Sequence, residues 1–223
     1  CGTYNMCFSI RYSQSEKIYR EMKKSDEHEQ RHRSRMQRKK EVIDTAISLA
    51  DREQGLLLVL TGNGKGKSSS AFGMVARALG HGMRVGVAQF IKGRKDTGEE
   101  GFFSRQPNVV WHVLGEGFTW ETQNLAHDIE TAQRGWAVVK EMLSDEALGL
   151  IILDELTYPL KYGWLELYTV LADIKARPLM QHVVITGRGA PDGLCEAADT
   201  VSDLQDVKHA YRAGVKAQKG VDL

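Results

Sequence analysis

The chain has 223 residues, 42% hydrophobic and 26% charged, with 30 Lys and Arg against 29 Asp and Glu for a net charge of +1. That suits one sizeable soluble α/β domain with an appendage, and near-neutrality gives no global electrostatic case for nucleic acid or an acidic membrane. No apolar run approaches the ~18 residues of a membrane span, and Cys1, Cys7 and Cys195 form neither a C-x-x-C pair nor a Cys/His cluster, which argues against disulfides or zinc and fits a reducing cytosol.

The first 21 residues begin without methionine and show no clear pattern. They lack the apolar core of a secretory signal. We expect residues 1–21 to be an appended, upstream-translated or disordered segment, with Met22 as a natural start. "KKSDEHEQRHRSRMQRKKE" (23–41) is almost wholly charged or polar, a solvated helix or disordered arm. Val42, Ile43, Ala46, Ile47 and Ala50 then recur at helical spacing and predict a docking helix.

After Gly55 the pattern changes to buried strands alternating with helices. "LLLVLT" (56–61) is a continuous apolar run, as in a central parallel strand covered on both faces. "TGNGKGKSSS" (61–70) follows, then a helix ending near Gly80 or Gly82. Further strands are expected at 84–90, 109–113, 150–153, 182–186 and 200–204, with helices at about 124–146 and 164–176 and a basic tail after them. This order predicts an α/β fold with a mainly parallel sheet, ligands at its C-terminal edge, and one domain over 55–223.

The 61–70 loop follows the pattern G-x-x-x-x-G-K-[ST], except that Thr61 replaces the first glycine. Gly62, Gly64 and Gly66 permit tight turns that aim N–H groups at a phosphate, and the next helix N-terminus adds its partial positive charge. Asn63 and Lys65 lie in the same cradle, Lys67 supplies a cation for phosphate oxygens, and Ser68, with Ser69 beside it, supplies a hydroxyl for Mg²⁺. "LIILDEL" ends a buried strand in Asp154 and Glu155, the acidic position that holds the Mg²⁺ shell in such proteins. Lys92, after the second strand, and Arg188, after the fifth, are further candidates for the triphosphate. Phe118 and Trp120, in "GEGFTWETQN", stand in a glycine-flanked polar loop, where they either tuck into the core or present a surface to a flat organic ligand.

The stretches "TGNGKGKSS", "GHGMRVGVAQFIKG", "GFTWETQN", "LDELTYPLKYGWL", "VVITGRGAP", "EAADTVSDL" and "VKHAYRAGVKAQKGVD", in that order, resemble the P-loop type of ATP:corrinoid adenosyltransferase. The resemblance implies a RecA-like P-loop fold, a cytoplasmic homodimer, and transfer of the 5′-deoxyadenosyl group of ATP to cobalt(I) of a corrinoid with release of triphosphate. It implies Mg²⁺, with Mn²⁺ as a substitute. Lys67 and Glu155 take catalytic roles, and Phe118, Thr119 and Trp120 contact the corrinoid, the two aromatics forming a wedge that displaces the lower axial ligand of cobalt(II). A reduced, flavodoxin-like flavoprotein is the implied electron donor. Residues 22–54 are the implied lid over the corrinoid. The family is described as holding ATP in reverse along the loop, which the non-glycine Thr61 permits, and Ser68 and Ser69 stand where relatives carry Thr. The competing readings of the loop are a RecA-like ATPase with Glu155 as base and a small-molecule kinase; both leave "GFTW" unexplained, and no nucleic-acid or membrane partner is expected.

Overall fold

The computed structural model describes the chain over residues 4–91, 97–115 and 124–222, with side chains described from residue 23 except 25–27. The chain forms two compact units, residues 1–52 and 53–223. The first is a single helix, α1 (Tyr4–Leu49), which runs through both the unpatterned start and the charged arm. Charge alternation along it includes the i,i+4 pair Glu29–Arg33, and such pairs support an exposed helix weakly. The apolar stripe Val42, Ile43 and Ile47 is exposed.

The second unit is a six-stranded sheet, with β1 (Leu57–Thr61), β2 (Arg84–Gln89), β3 (Val109–Val113), β4 (Leu148–Asp154), β5 (His182–Thr186) and β6 (Thr200–Asp203) in the order β3-β2-β4-β5-β1-β6. Every neighbouring pair is parallel. Parallel strands need crossover connections, and these contain α2 (Lys67–Gly80), α3 (Gly98–Phe103), α4 (Leu125–Ser144), α5 (Thr157–Lys161), α6 (Leu167–Lys175) and α7 (Asp192–Ala197). The expected α/β architecture is therefore present, and strand β5 lies between the strand carrying the glycine loop and the strand carrying Asp154.

The uninterrupted apolar strands have two buried faces, as a sheet covered on both sides requires. Alternate residues of β4 divide between two cores. Ile151 and Leu153 pack with Trp136, Val139 and Met142 of α4 and Ile174 of α6, while Leu150 and Ile152 pack with Ala71, Phe72, Val75 and Ala78 of α2. The α2 residues recur at helical spacing, and Phe72 also stacks on Trp111 of β3 with ring centroids 5.5 Å apart. Burying Phe72 contributes on the order of 1.5–3 kcal/mol. Helix α4 starts where Asn124 accepts a hydrogen bond from the His127 amide at 3.2 Å, a side-chain cap that satisfies one of the orphan donors of the first turn. Strand β6 is exposed along its whole length. No helix among the described residues is long and apolar enough to cross a membrane.

Candidate active site

The glycine loop emerges from β1 at the C-terminal edge of the sheet, where parallel α/β folds gather their ligands. Two of its glycines meet the conformational demand read from the pattern: Gly62 has φ 93° and Gly66 φ 110°. Gly64 is used differently. A Cβ there would lie 2.5 Å from the carbonyl oxygen of Gln205, and its N–H donates to the carbonyl of Leu204 at 2.6 Å. Gly64 is thus a close approach to the segment after β6, and its amide is committed there rather than aimed at a phosphate.

Lys67 opens α2 and is only 8% exposed. Its Nζ donates to the carbonyl of Gly64 at 2.6 Å, folded back on its own loop. Burial, followed by the guanidinium of Arg188, pushes the Lys67 ammonium below the usual lysine range, with Glu155 and Asp203 opposing that shift. A buried cation beside another cation calls for anionic charge. Lys65 is exposed and paired with Asp222 of the tail; Asn63 and Ser69 are exposed at the loop surface. The tail and the loop enclose a cleft of about 370 Å³ lined by Gly64, Lys65, His209, Tyr211 and Lys216 among others.

Ser68, in the first turn of α2, donates from Oγ to Oδ1 of Asp154 at 2.7 Å. Asp154 is fully buried. Its Oδ1 also accepts from Thr186 Oγ1 at 2.7 Å, and its Oδ2 accepts from Gln89 Nε2 at 2.9 Å. The carboxylate is therefore held from three elements, as a buried charge must be. The next residue, Glu155, has φ 63°, a left-handed conformation that costs a non-glycine residue about 1–3 kcal/mol. Its amide donates to Thr186 Oγ1 at 3.0 Å, so one hydroxyl fixes both acidic residues.

Arg188 follows β5 and is exposed, with Nη1 3.2 Å from the hydroxyl of Tyr158. Its carbonyl accepts from Thr157 Oγ1 at 3.0 Å, which ties the loop after β5 to the turn after β4. The fold thus gathers Gly62, Gly64, Gly66, Lys67, Ser68, Asp154, Glu155 and Arg188 at one edge of the sheet. Lys92, Phe118, Thr119 and Trp120 lie outside the described residues. Sequence reading missed Gln89 and Thr186. Each is a polar residue closing a strand whose interior is apolar, a signal present in "VAQF" and "VVIT" but shared with many strand ends.

Among the described residues no group of three His, Cys, Asp or Glu could cage a metal ion. One buried carboxylate and one hydroxyl suit instead a hard divalent ion that arrives with phosphates, since Mg²⁺ is commonly bound through one or two carboxylates plus substrate oxygens and keeps several waters.

Comparison with known proteins covers the same part of the chain. A family described as ATP:corrinoid adenosyltransferase BtuR/CobO/CobP matches residues 53–223, and one described as cob(I)alamin adenosyltransferase N terminal matches residues 22–47. A corrinoid adenosyltransferase of Pseudomonas aeruginosa is 63% identical over 203 residues, covering 91% of this chain and all of that protein. Those of Escherichia coli strain K12 and Salmonella typhimurium are each 46% identical over 194 residues, covering 87% of this chain and 98% of each relative. With a glycine-rich loop, a buried acidic strand end and these relatives in agreement, the chain belongs to the ATP:corrinoid adenosyltransferase family, transferases whose reaction is ATP-dependent adenosyl transfer to a corrinoid.

Proposed function

We propose that this chain performs the family reaction with the loop as a leaving-group cradle, and the observation that carries this is the contact of Ser68 with Asp154 beside the stowed Lys67. In that reaction cobalt(I) of the corrinoid attacks C5′ of ATP. A cobalt–carbon bond forms, the C5′–O bond breaks, and the electron pair leaves on the triphosphate. No water has to be activated, so the protein's task is to hold C5′ in line and to stabilise charge growing on the departing oxygen.

Lys67 leaves the Gly64 carbonyl for the phosphate oxygens, and its lowered proton affinity returns toward normal as the anion neutralises it. Gly62, Asn63, Lys65, Gly66, Ser69, Lys92 and Arg188 complete the triphosphate site. Ser68 and Asp154, with Glu155 beside them, hold magnesium, which supplies charge neutralisation to the leaving group. Phe118, Thr119 and Trp120 meet the corrinoid, the two aromatics displacing its lower ligand so that a reduced flavoprotein can deliver the electron to cobalt(II). Residues 22–54 act as a lid and residues 55–223 as the catalytic domain of a cytoplasmic homodimer. The test is Ser68→Ala. The magnesium concentration for half-maximal adenosylation should rise about tenfold or more, as loss of an ion's supporting group does; an unchanged requirement would refute the role of Ser68.

A further inference from the structure

Gln89 closes β2 and is 1% exposed. In the sheet it is the direct cross-strand neighbour of Asp154. A carboxylate only accepts hydrogen bonds, so the contact of 2.9 Å between the side chains fixes the amide with its NH₂ toward Asp154 Oδ2 and its oxygen turned away. That oxygen, Gln89 Oε1, is sealed from solvent and has no hydrogen-bond partner among the described residues. An acceptor left unpaired in a protein interior is costly and uncommon, and it calls for a donor that arrives from elsewhere.

The surroundings limit what that donor is. The hydroxyls of Ser68 and Thr186 are both directed at Asp154 Oδ1. The phosphates of ATP carry acceptors only at neutral pH. A hard divalent ion bound through phosphates keeps several waters, and these are donors. We propose that Gln89 is a positioning residue of the magnesium shell, its Nε2 orienting Asp154 and its Oε1 accepting a hydrogen bond from a water carried on the ion. This rests on the magnesium–ATP reading above and adds to it a residue that no phosphate-loop pattern includes.

The experiment is calorimetric titration of the full chain with ATP, once with magnesium and once with EDTA, for the wild type, Gln89→Met and Gln89→Leu. Both substitutions fill similar volume without an amide, Met leaving only a weakly accepting sulfur and Leu no hydrogen-bonding atom. In the wild type magnesium should tighten ATP binding. In the variants that gain should shrink about tenfold or more, while ATP affinity in EDTA stays within about twofold. The same gain in wild type and variants would overturn the role of Gln89 alone. A wild type that gains nothing from magnesium would overturn the magnesium reading and Gln89 with it. Failure of both variants to fold would also overturn the proposal, because the amide would then be a pin of the sheet and not a partner of the ion.

Discussion

Gly64→Ala separates the two uses of glycine in the phosphate loop. The φ of Gly64 is not in the left-handed region that Gly62 and Gly66 occupy, so alanine meets no backbone strain, and the whole effect comes from contact. The added Cβ would lie 2.5 Å from Gln205 O, 2.7 Å from its carbonyl carbon and 2.8 Å from Leu204 O. All three are backbone atoms, so the loop and the segment after β6 must part. Parting them loses the 2.6 Å bond from Gly64 N to Leu204 O, about 1 kcal/mol, and overpacking adds about 1–3 kcal/mol. The stiffer unfolded chain returns roughly 0.4–1 kcal/mol. The net loss is about 1–3.5 kcal/mol, which lowers Tm by on the order of 2–14 °C at this chain length. Gly73→Ala is the matched control: the residue is inside α2 with nothing within 4 Å of a new Cβ, and it should gain roughly 0.5–1 kcal/mol. Thermal unfolding followed by circular dichroism measures both. Because Lys67 rests on the Gly64 carbonyl, the KM for ATP should also rise about tenfold, a change of about 1.4 kcal/mol. A Gly64→Ala protein melting with the wild type would refute the close approach of loop and tail.

Lys67→Met should reduce adenosylation by a factor of about 10²–10³ and yet raise the Tm of the ligand-free protein. Burial and Arg188 lower the proton affinity of Lys67 in the folded state, so its charged form opposes folding. That opposition is complete below the folded pKa and fades as pH rises toward the unfolded value of 10.5. The Tm gain should therefore be largest near neutral pH and vanish in alkali; a gain independent of pH would contradict the assignment. Thr186→Val removes the hydroxyl that accepts from the Glu155 amide and donates to Asp154, so unfolding in urea should show a loss of about 1–3 kcal/mol and turnover should fall; an unaltered protein would mean the hydroxyl bridges nothing of consequence. Phe118→Ala and Trp120→Ala should impair the reaction started from cobalt(II) far more than the reaction started from chemically prepared cobalt(I), and equal losses in the two assays would leave them as residues that only shape the pocket.

Strands β1 to β5 were legible because each carries an apolar stretch, and burial on both faces makes the central ones continuous; β6 (TVSD) is exposed, with Val201 its one apolar residue. Helix α2 was legible for the same kind of reason, its apolar residues recurring at helical spacing after the glycine loop. The short helices α3, α5 and α7 were not, since five or six residues complete too few turns to establish a period. The charged arm was read as helix or disorder, and its joining with the first residues into one long α1 escaped a reading based on apolar pattern, because that helix has little such pattern. At the site, Lys67, Ser68 and Asp154 carry local motifs. The partner of Gly64 lies 140 residues away in the chain, and Gln89 and Thr186 are recruited by strand order, which no local window contains. Tertiary pairing decided those residues.

The claim that the loop holds a departing triphosphate is tested most directly by an anaerobic reaction of the protein with ATP, Mg²⁺ and chemically reduced cobalamin, following the visible spectrum and identifying the phosphate product. The account predicts a light-sensitive alkylcobalamin spectrum with one triphosphate released for each corrinoid converted. Orthophosphate accumulating with no spectral change would contradict it and return the loop to hydrolysis.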